Sequence, residues 1–399
     1  MSFKVSSLRI SDGEYLARRE RIFRRLEDRG VDALVLFSAH NIDYFCRFAF
    51  IPTERPIAAI VTQDRAELLV PRLEVEHAGE KALVDAVESY PEYPGLRHPM
   101  EFLKDMLTRL GLTSKHLGVD AQGYARIYGS RGPRLEDLVP SAEITDVVDD
   151  IEYLQMINTD EEIALVRESA KWGNLAHTLL QELCTVGARE SEIAMRASLE
   201  ATDAMLKTLG PTYRGGTRTG AHAGFRGQIG KDSALPHAVS NNAKLKPGDV
   251  LVTGAGADVW GYGSELERTM IMGEPTKEQS RYFNLMVEIQ TACIDALRPG
   301  VRCSEVDGVT ERFFKENGLE ENWRHHSGHA KSQLVHEAPF LDVGDDRIIE
   351  VGMIFTVEPG IYVQDYAGFR HSDTVLVTEH GPESLTFYPR DLESLIIPV

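Results

Sequence analysis

Residues 249–272 read DVLVTGAGADVWGYGSELERTMIM, and their pattern sets the fold expected for the second half of the chain. Apolar runs at both ends flank a glycine-rich stretch over residues 254–263, which predicts a β-hairpin. Because residues two apart on a strand share a face, Glu265 and Glu267 are expected to point the same way. Neighbouring carboxylates repel each other and require a metal, a cationic ligand or a shared proton, unless they simply face solvent on an edge strand.

The composition around this hairpin is typical of a folded globular protein. The chain has 399 residues, 42% of them hydrophobic and 26% charged, which disfavours disorder and coiled coil. Its 62 acidic residues exceed its 43 basic ones, giving a net charge of −19. This charge repels phosphate backbones and anionic lipid surfaces, so we expect neither a nucleic-acid partner nor a membrane partner.

The cysteines and the apolar runs predict the cellular location of the chain. The four cysteines show neither CxxC spacing nor a short disulfide framework, so reduced thiols and a cytoplasmic location are expected. The first 30 residues are rich in Arg and Glu, and no apolar run reaches the roughly 18 residues of a membrane span. The sequence therefore predicts neither a signal peptide nor a transmembrane helix.

Two capping boxes indicate the domain organisation. The box at residues 11–14 opens an amphipathic helix, and the short apolar runs after it predict a small α/β domain over residues 1–155. The box at residues 159–162 opens a helix that enters a second domain, residues 156–399. In this domain long helices precede a strand-rich half, so the chain as a whole is expected to be α+β.

Histidines and one more glutamate stand near predicted strands. Pro236-His237 precedes the hairpin, Gly328-His329 and His336-Glu337 lie seven residues apart, and Glu358 follows the predicted strand that ends at Val357. A lone histidine is usually a hydrogen-bonded structural residue. Three histidines in loops with Gly and Pro, together with a carboxylate at a strand end, instead favour a catalytic site.

These motifs occur in the order and spacing of a known family. From its first helix to its end, the chain resembles the creatinase, prolidase and methionine aminopeptidase group. The resemblance implies a creatinase-like α/β N-terminal domain and a pita-bread C-terminal domain, with a curved antiparallel sheet covered by helices. It rests on Pro236-His237, Pro247-Gly248-Asp249, Gly261-Tyr262 with Glu267-Arg268-Thr269, Gly328-His329, His336-Glu337, Gly352-Met353 with Val357-Glu358-Pro359-Gly360, and Asp373-Thr374-Val375-Leu376-Val377.

The same resemblance bears on metal binding. Metallopeptidases of this family hold two metal ions with two aspartates, a histidine and two glutamates. These ligands fall, in order, on Thr253, Glu265, His329, Glu358 and Ser372. Because two of the five positions carry hydroxyl groups, the sequence lacks the charge and the ligand count for two ions. We expect no cofactor, although a single divalent ion on Glu265, His329 and Glu358 is an alternative.

In its site residues the chain is closest to creatinase, the metal-free member of the family. The resemblance implies that His237 is the catalytic histidine and that Glu267 and Glu358 grip a guanidinium group. It also implies that Arg55 of the first domain holds a substrate carboxylate. Creatinase's second carboxylate-binding arginine falls on Phe340 here, which argues against creatine itself as the substrate.

The leading hypothesis is a metal-independent hydrolase of a C–N bond in a small guanidino, amidino or amino-acid-like cation. Glu265 joins the anionic clamp, His237 acts as general acid and base, and His329 and His336 orient the clamp or the leaving group. Glu358 is expected on the strand next to the hairpin carboxylates. One carboxyl of this cluster is expected to keep its proton with a raised pKa unless a cation enters.

Two alternatives remain. A metal-dependent Xaa-Pro dipeptidase or aminopeptidase with a reduced metal site would use His329, His336 and Glu358. A catalytically silent binding protein could keep the fold, although like charges at Glu267 and Glu358 argue against a pure scaffold. An enzyme of either kind would bind a small molecule or a dipeptide. We expect a homodimer with the pocket near the subunit boundary.

Overall fold

The computed structural model describes residues 8–216 and 220–399. The chain divides into two compact units, one formed by Ile10–Gln155 and the other containing Met156–Val399. Both units combine helices with strands, which confirms the expected α+β class.

The first unit is built on a mixed sheet whose strands lie in the order β4-β3-β2-β1-β5-β6. In chain order its elements are α1 (Asp12–Arg25), β1 (Ala33–Leu36), α2 (Ala39–Cys46), β2 (Ala58–Val61), β3 (Ala66–Pro71), α3 (Val75–Lys81), β4 (Ala86–Tyr90), α4 (Pro99–Arg109), β5 (His116–Val119), α5 (Leu135–Leu138), β6 (Glu143–Asp146) and α6 (Val148–Met156). Alternate residues of β1 enter different core clusters, Leu34 and Leu36 in one and Ala33 and Val35 in the other. Because alternate residues of a strand point to opposite faces, both faces of this sheet are buried.

Local signals place α1 where the sequence predicts it. Ser11 caps the helix by accepting a hydrogen bond from the backbone N–H of Glu14 at 3.2 Å, and Gly30 closes the following turn at a φ of 65°. The Glu14 carboxylate also accepts hydrogen bonds from Arg18 and Arg21. The predicted start of the helix is therefore correct.

The second unit contains a larger sheet with the strand order β12-β11-β13-β16-β10-β8-β7. Its elements are α7 (Asp160–Leu183), α8 (Glu190–Leu209), β7 (Ala221–Gly224), β8 (Val250–Val259), β9 (Tyr262–Gly263), β10 (Leu266–Met272), α9 (Lys277–Ala296), α10 (Cys303–Glu316), β11 (Gly328–Ala330), β12 (Glu337–Leu341), β13 (Ile354–Val357), β14 (Gly360–Val363), β15 (Ala367–Arg370), β16 (Ser372–Thr378), β17 (Gly381–Ser384) and β18 (Ile396–Ile397). Apart from the parallel pair β10 and β18, its strands pair antiparallel. Helices α7 and α8 pack on β8 and β7.

The predicted hairpin forms, but its first strand is longer than the apolar pattern indicates. β8 continues through Gly254 and Gly256, which the sequence places in the connecting loop. A close approach of α7 explains Gly256, since a Cβ on Gly173 would lie 2.9 Å from the Cα of Gly256. Gly256 admits a neighbouring backbone to a strand instead of forming a turn.

Two further observations concern the whole described chain. Across residues 8–216 and 220–399, no helix has both the length and the apolar character needed to cross a bilayer. All four cysteines are buried and unpaired, which agrees with the absence of a disulfide framework in the sequence.

Candidate active site

The site is built on β10 and the two strands beside it. β10 pairs with β16 and with β8, so that Glu267 lies opposite Ser372 and Arg268 opposite Thr253. Glu265 immediately precedes β10, and its backbone N–H donates to the Thr374 hydroxyl at 2.8 Å. The strand pairing thus brings Glu267 next to Ser372, whereas Thr253 and Arg268 lie on the opposite face of the hairpin.

Three of the predicted residues meet beside this strand. Glu265, His329 and Glu358 each offer a ligand atom within 4.8 Å of the others. His329 lies on β11, and Glu358 directly follows β13. The sequence predicts Glu358 on the strand next to β10, whereas β16 separates β13 from β10 because it pairs with both.

The imidazole of His329 shows what this cluster requires. Its Nδ1 lies 2.9 Å from the carbonyl oxygen of Ala330, so Nδ1 carries a proton and donates it. Its Nε2 lies 3.2 Å from Glu358 Oε1 without the geometry of a hydrogen bond. In the neutral ring the Nε2 lone pair would face a carboxylate. A second proton or a cation must therefore lie between them.

The pKa values follow from burial and from this contact. Burial alone would lower the pKa of His329, but the nearby Glu358 and Glu265 carboxyl groups raise it above its usual value. Burial alone would raise the pKa of Glu358, but His329 and Arg370 hold it well below its usual range.

The pKa of Glu265 is shifted in the opposite direction from that of Glu358. Burial of its carboxyl group, followed by the charges of Glu358 and Glu267, raises the pKa of Glu265 to about 7. The residue as a whole is partly exposed, yet its carboxyl group is desolvated among the other side chains. The raised pKa of Glu265 has the direction that the sequence argument expects for one carboxyl of the cluster, and both its protonated and its ionised form are present near neutral pH.

Glu267 is paired inside the protein. Arg370 makes two hydrogen bonds to its carboxylate, and Nη2 of Arg226 adds another at 2.5 Å. Arg370 also donates to the Tyr362 hydroxyl at 2.9 Å and lies 3.7 Å from Glu358 Oε2. The expected role of Glu267 as a grip for a substrate cation has to be revised, because two guanidinium groups already match its charge.

The remaining histidines lie at the rim. His336 is exposed and stacks on His329, with ring centroids 4.0 Å apart. His237 lies on an exposed turn. The pKa of His336 is lowered by burial, then by the charge of His329 and, to a smaller extent, by that of His237, so His237 lies close to His336. His237 is therefore near the site, with its imidazole open to solvent.

The five positions to which the family resemblance assigns metal ligands do not fit two ions here. Thr253 Oγ1 donates to the carbonyl oxygen of Arg268 at 2.9 Å and accepts from His177 Nε2 at 2.7 Å. Ser372 Oγ donates to Glu265 Oε1 at 3.0 Å. Thr253 lies opposite Arg268, on the face of β8 away from Glu267, so it is not among the residues of this site, and Gly254 lies opposite Glu267 instead. Ser372 is uncharged, so the arrangement lacks the further carboxylates that two divalent ions need.

A single ion fits the remaining residues better. Glu265, His329 and Glu358 form a compact set of one nitrogen and two carboxylate ligands, and the buried Nε2 of His329 has no hydrogen-bond partner in the described chain. Three protein ligands are the number that catalytic zinc sites typically use.

Arg55 belongs to the first unit, where its guanidinium is engaged. Its Nε and Nη2 donate to Glu92 at 2.7 and 3.2 Å, and its Nη1 donates to Glu54 at 2.7 Å. Phe340 packs its ring 5.7 Å from that of His326. These contacts give neither Arg55 nor Phe340 a role in the cluster of Glu265, His329 and Glu358.

The sequence reasoning does not single out Arg370, Arg226 or Tyr362. A weak signal exists for Arg370, since a charged residue after the apolar pair Gly368-Phe369 must be paired if the segment is buried. No such signal exists for Arg226, whose partner Glu267 is 41 residues away in the chain.

Comparison with known proteins now places the chain. A family model described as "Metallopeptidase family M24" matches residues 164–379, and one described as "Creatinase/Prolidase N-terminal domain" matches residues 18–157. The chain belongs to metallopeptidase family M24. This membership confirms the family resemblance and the pita-bread fold, and with it a hydrolase that acts on C–N bonds.

Individual members of the M24 family give the same result along nearly the whole chain. The Xaa-Pro dipeptidase of Pyrococcus furiosus is 28% identical over 379 residues, covering 94% of this chain and 99% of that protein. The structure of the Xaa-Pro dipeptidase from Bacillus anthracis has a TM-score of 0.78 at 26% identity and covers 96% and 99% of the two chains. The prolidase from Pyrococcus horikoshii gives 0.77 at 25% identity, with 94% and 99% covered.

These relatives bear on the activity as well as on the fold. All three are named as dipeptidases or prolidases, and none of them is named a creatinase. They support the peptidase alternative and give no support to the metal-independent, creatinase-like activity that the sequence favours.

Proposed function

We propose that this chain hydrolyses a C–N bond in a compact cationic substrate of the amidino or guanidino class without a resident metal ion. The observation that carries the proposal is the lack of further carboxylates beside Glu265. The uncharged Ser372 hydroxyl donates to Glu265 Oε1, and the residue opposite Glu267 on β8 is Gly254. Neither adds a charged ligand to Glu265, His329 and Glu358, which supports a site without two metal ions.

In this proposal Glu358 binds the substrate cation and Glu265 acts as the general base. Glu358 stays ionised and attracts the substrate cation, because His329 and Arg370 hold its pKa low. Glu265, with a pKa of about 7, can take a proton from the water that attacks the amidinium carbon. As the C–N bond breaks, His237 delivers a proton to the leaving nitrogen.

Glu267 and the histidines beside the pocket then position these groups. Glu267 fixes Arg370, and Arg370 faces Glu358. The stack of His336 on His329 covers the ring that contacts Glu358. Of the three glutamates expected to bind the substrate cation, Glu265 and Glu358 keep this role in the proposal, and Glu267 positions Arg370 instead.

A second candidate is a dipeptidase that uses one divalent ion. It is favoured by the three-residue cluster and by the names of the relatives. Glu265, His329 and Glu358 would hold the ion, which would activate water and polarise a peptide carbonyl. The substrate would then be an Xaa-Pro dipeptide.

The metal content of the purified chain separates the two candidates. We expect less than one tightly bound divalent ion per chain, and hydrolysis of guanidino or amidino compounds that survives a strong chelator. A full equivalent of metal, with Xaa-Pro cleavage that EDTA abolishes and His329→Ala removes, would establish the second candidate. Ser372→Glu, which adds a carboxylate beside Glu265, should gain metal affinity.

We also propose domain limits of 1–155 and 156–399, a homodimer and a cytoplasmic location. The four unpaired cysteines support the location, since oxidising compartments favour disulfides. The homodimer rests on the family resemblance.

A further inference from the structure

His237 lies on a backbone turn that is largely open to solvent. The turn spans residues 235–238, and the backbone N–H of Ala238 donates to the carbonyl oxygen of Leu235 at 3.1 Å. Pro236 favours such a turn because its ring fixes φ near the value that the second turn position requires. Leu235 and His237 are both exposed, so side-chain packing does little to hold the imidazole in one place.

The buried amide of Gln228 holds this turn from inside the protein. Gln228 is 1% exposed, and its Nε2 donates to the carbonyl oxygens of Leu235 and Pro236, each at 3.3 Å. Its Oε1 accepts from Nη2 of Arg226 at 3.2 Å. A flipped amide would place its oxygen against two carbonyls and its N–H groups against a guanidinium, so the orientation of the amide is fixed.

Arg226 connects Gln228 to the paired carboxylate of Glu267. Nη2 of Arg226 donates to Glu267 Oε1 at 2.5 Å as well as to the glutamine. Glu267 is also bonded to Arg370, which lies 3.7 Å from Glu358 Oε2. A continuous series of hydrogen bonds and one ion pair therefore runs from Glu358 to the backbone of the turn.

The chain on each side of the turn is fixed by other contacts. Glu190 is 2% exposed and accepts from the hydroxyl of Ser240 and the backbone N–H of Asn241, both at 2.9 Å. Before the turn, the Ser233 hydroxyl accepts from the backbone N–H of Gly368 at 2.8 Å. Loss of the glutamine amide would therefore release the turn itself and leave the flanking segments in place.

We propose that Gln228 is a positioning residue for His237, because its amide fixes the turn that carries this histidine relative to the carboxylate cluster. This inference rests on the proposed function, in which His237 protonates the leaving nitrogen. Proton transfer requires its donor and acceptor within hydrogen-bond reach, and a displacement of about 1 Å can cost a hundredfold in rate. A misplaced acid should lower turnover more than it weakens binding of the substrate cation.

Gln228→Glu tests the assignment with two measurements. The substitution keeps an oxygen for Arg226 and replaces the donor by an oxygen that repels the carbonyls of Leu235 and Pro236. By hydrogen–deuterium exchange mass spectrometry, we expect the amide of Ala238 to exchange about tenfold faster. With the guanidino or amidino compound that the wild-type chain hydrolyses fastest, kcat should fall about ten- to a hundredfold and KM should change less than about twofold.

Gln279→Glu is the matched control. Gln279 is 5% exposed, donates to the carbonyl oxygen of Gly248 at 2.9 Å and accepts from the backbone N–H of Thr276 at 2.9 Å. The control thus also loses one buried amide donor and keeps the acceptor oxygen. It should change neither the exchange of Ala238 nor kcat.

A double variant distinguishes positioning from a general effect on structure. If Gln228 acts through His237, Gln228→Glu combined with His237→Ala should turn over as fast as His237→Ala alone. Gln228→Met removes the donor without adding a charge and should act in the same direction as Gln228→Glu. It decides the matter if circular dichroism shows Gln228→Glu unfolded.

The outcomes separate this inference from the proposed function. Unchanged exchange of Ala238 in the Gln228 variants would overturn the inference and leave the proposed function standing. Faster exchange with unchanged kcat, or a further loss of kcat in the double variant, would overturn it in the same way. Full turnover by His237→Ala, or no hydrolysis of guanidino and amidino compounds by the wild-type chain, would reject the proposed function and the inference together.

Discussion

Replacing Glu265 with glutamine tests the electrostatics of the site without any knowledge of the substrate. The glutamine amide keeps an oxygen that can accept from Ser372 Oγ, which lies 3.0 Å from Glu265 Oε1. It removes the carboxyl group whose pKa burial, Glu358 and Glu267 raise from 4.5 to about 7. The change therefore isolates the cost of ionising this carboxyl in the folded chain.

The magnitude and its sign follow from linkage. The two pKa values differ by about 2.5, which at about 1.36 kcal/mol for each pKa unit corresponds to about 3 kcal/mol. Between pH 4.5 and pH 7 the folded chain keeps the Glu265 proton while the unfolded chain releases it. The folded state then binds more protons, so this group lowers the stability as pH rises through that window. Above pH 7 the full loss remains.

The assay compares denaturant unfolding of wild type and Glu265→Gln with EDTA present. Below pH 4.5 the two free energies of unfolding should agree, and by pH 8 the variant should be more stable by about 3 kcal/mol. Glu143→Gln, whose side chain is 73% exposed, controls for the substitution itself. Parallel curves at all pH values, or a variant less stable at pH 8, would refute the electrostatic argument.

Three further predictions follow from the described contacts. Glu267→Gln should lower the free energy of unfolding by about 3 kcal/mol or more, because Arg370 would keep a buried charge without its partner; an unchanged urea midpoint would contradict the pairing. His237→Ala should reduce turnover by roughly 10²–10⁴ with little change in KM, and since His237 is exposed the melting temperature should not move; full turnover would exclude its proposed role. Light scattering at micromolar concentration should give about twice the chain mass of 44.5 kDa, and a monomer would contradict the proposed dimer.

The fold could be predicted furthest where its causes are local. The capping box of Thr159 and Glu162 forms in both directions and starts α7 at Asp160. Thr276 and Gln279 start α9 in the same way. Such caps depend on residues within one helical turn, so the sequence contains all the information needed. The extension of β8 through Gly256 could not be predicted, because a distant helix approaches the strand closely at this residue.

The members of the site were predictable, but their partners were not. Glu265, His329 and Glu358 are all identified from the sequence, and they meet in one cluster. The state of Glu267 depends on Arg370, 103 residues further along the chain. No periodicity or spacing reports such a contact, because strand pairing between distant segments creates it.

The contact between His329 and Glu358 bears on which cation the site can accept. Because Nδ1 of His329 is committed to a backbone carbonyl, Nε2 faces Glu358 and the pair needs one positive charge between or beside them. Two divalent ions would bring four positive charges, yet Ser372 beside Glu265 is uncharged and Gly254 opposite Glu267 has no side chain to offer. A pocket with this charge balance is suited to a monocation or to one ion, and the metal content of the purified chain distinguishes the two.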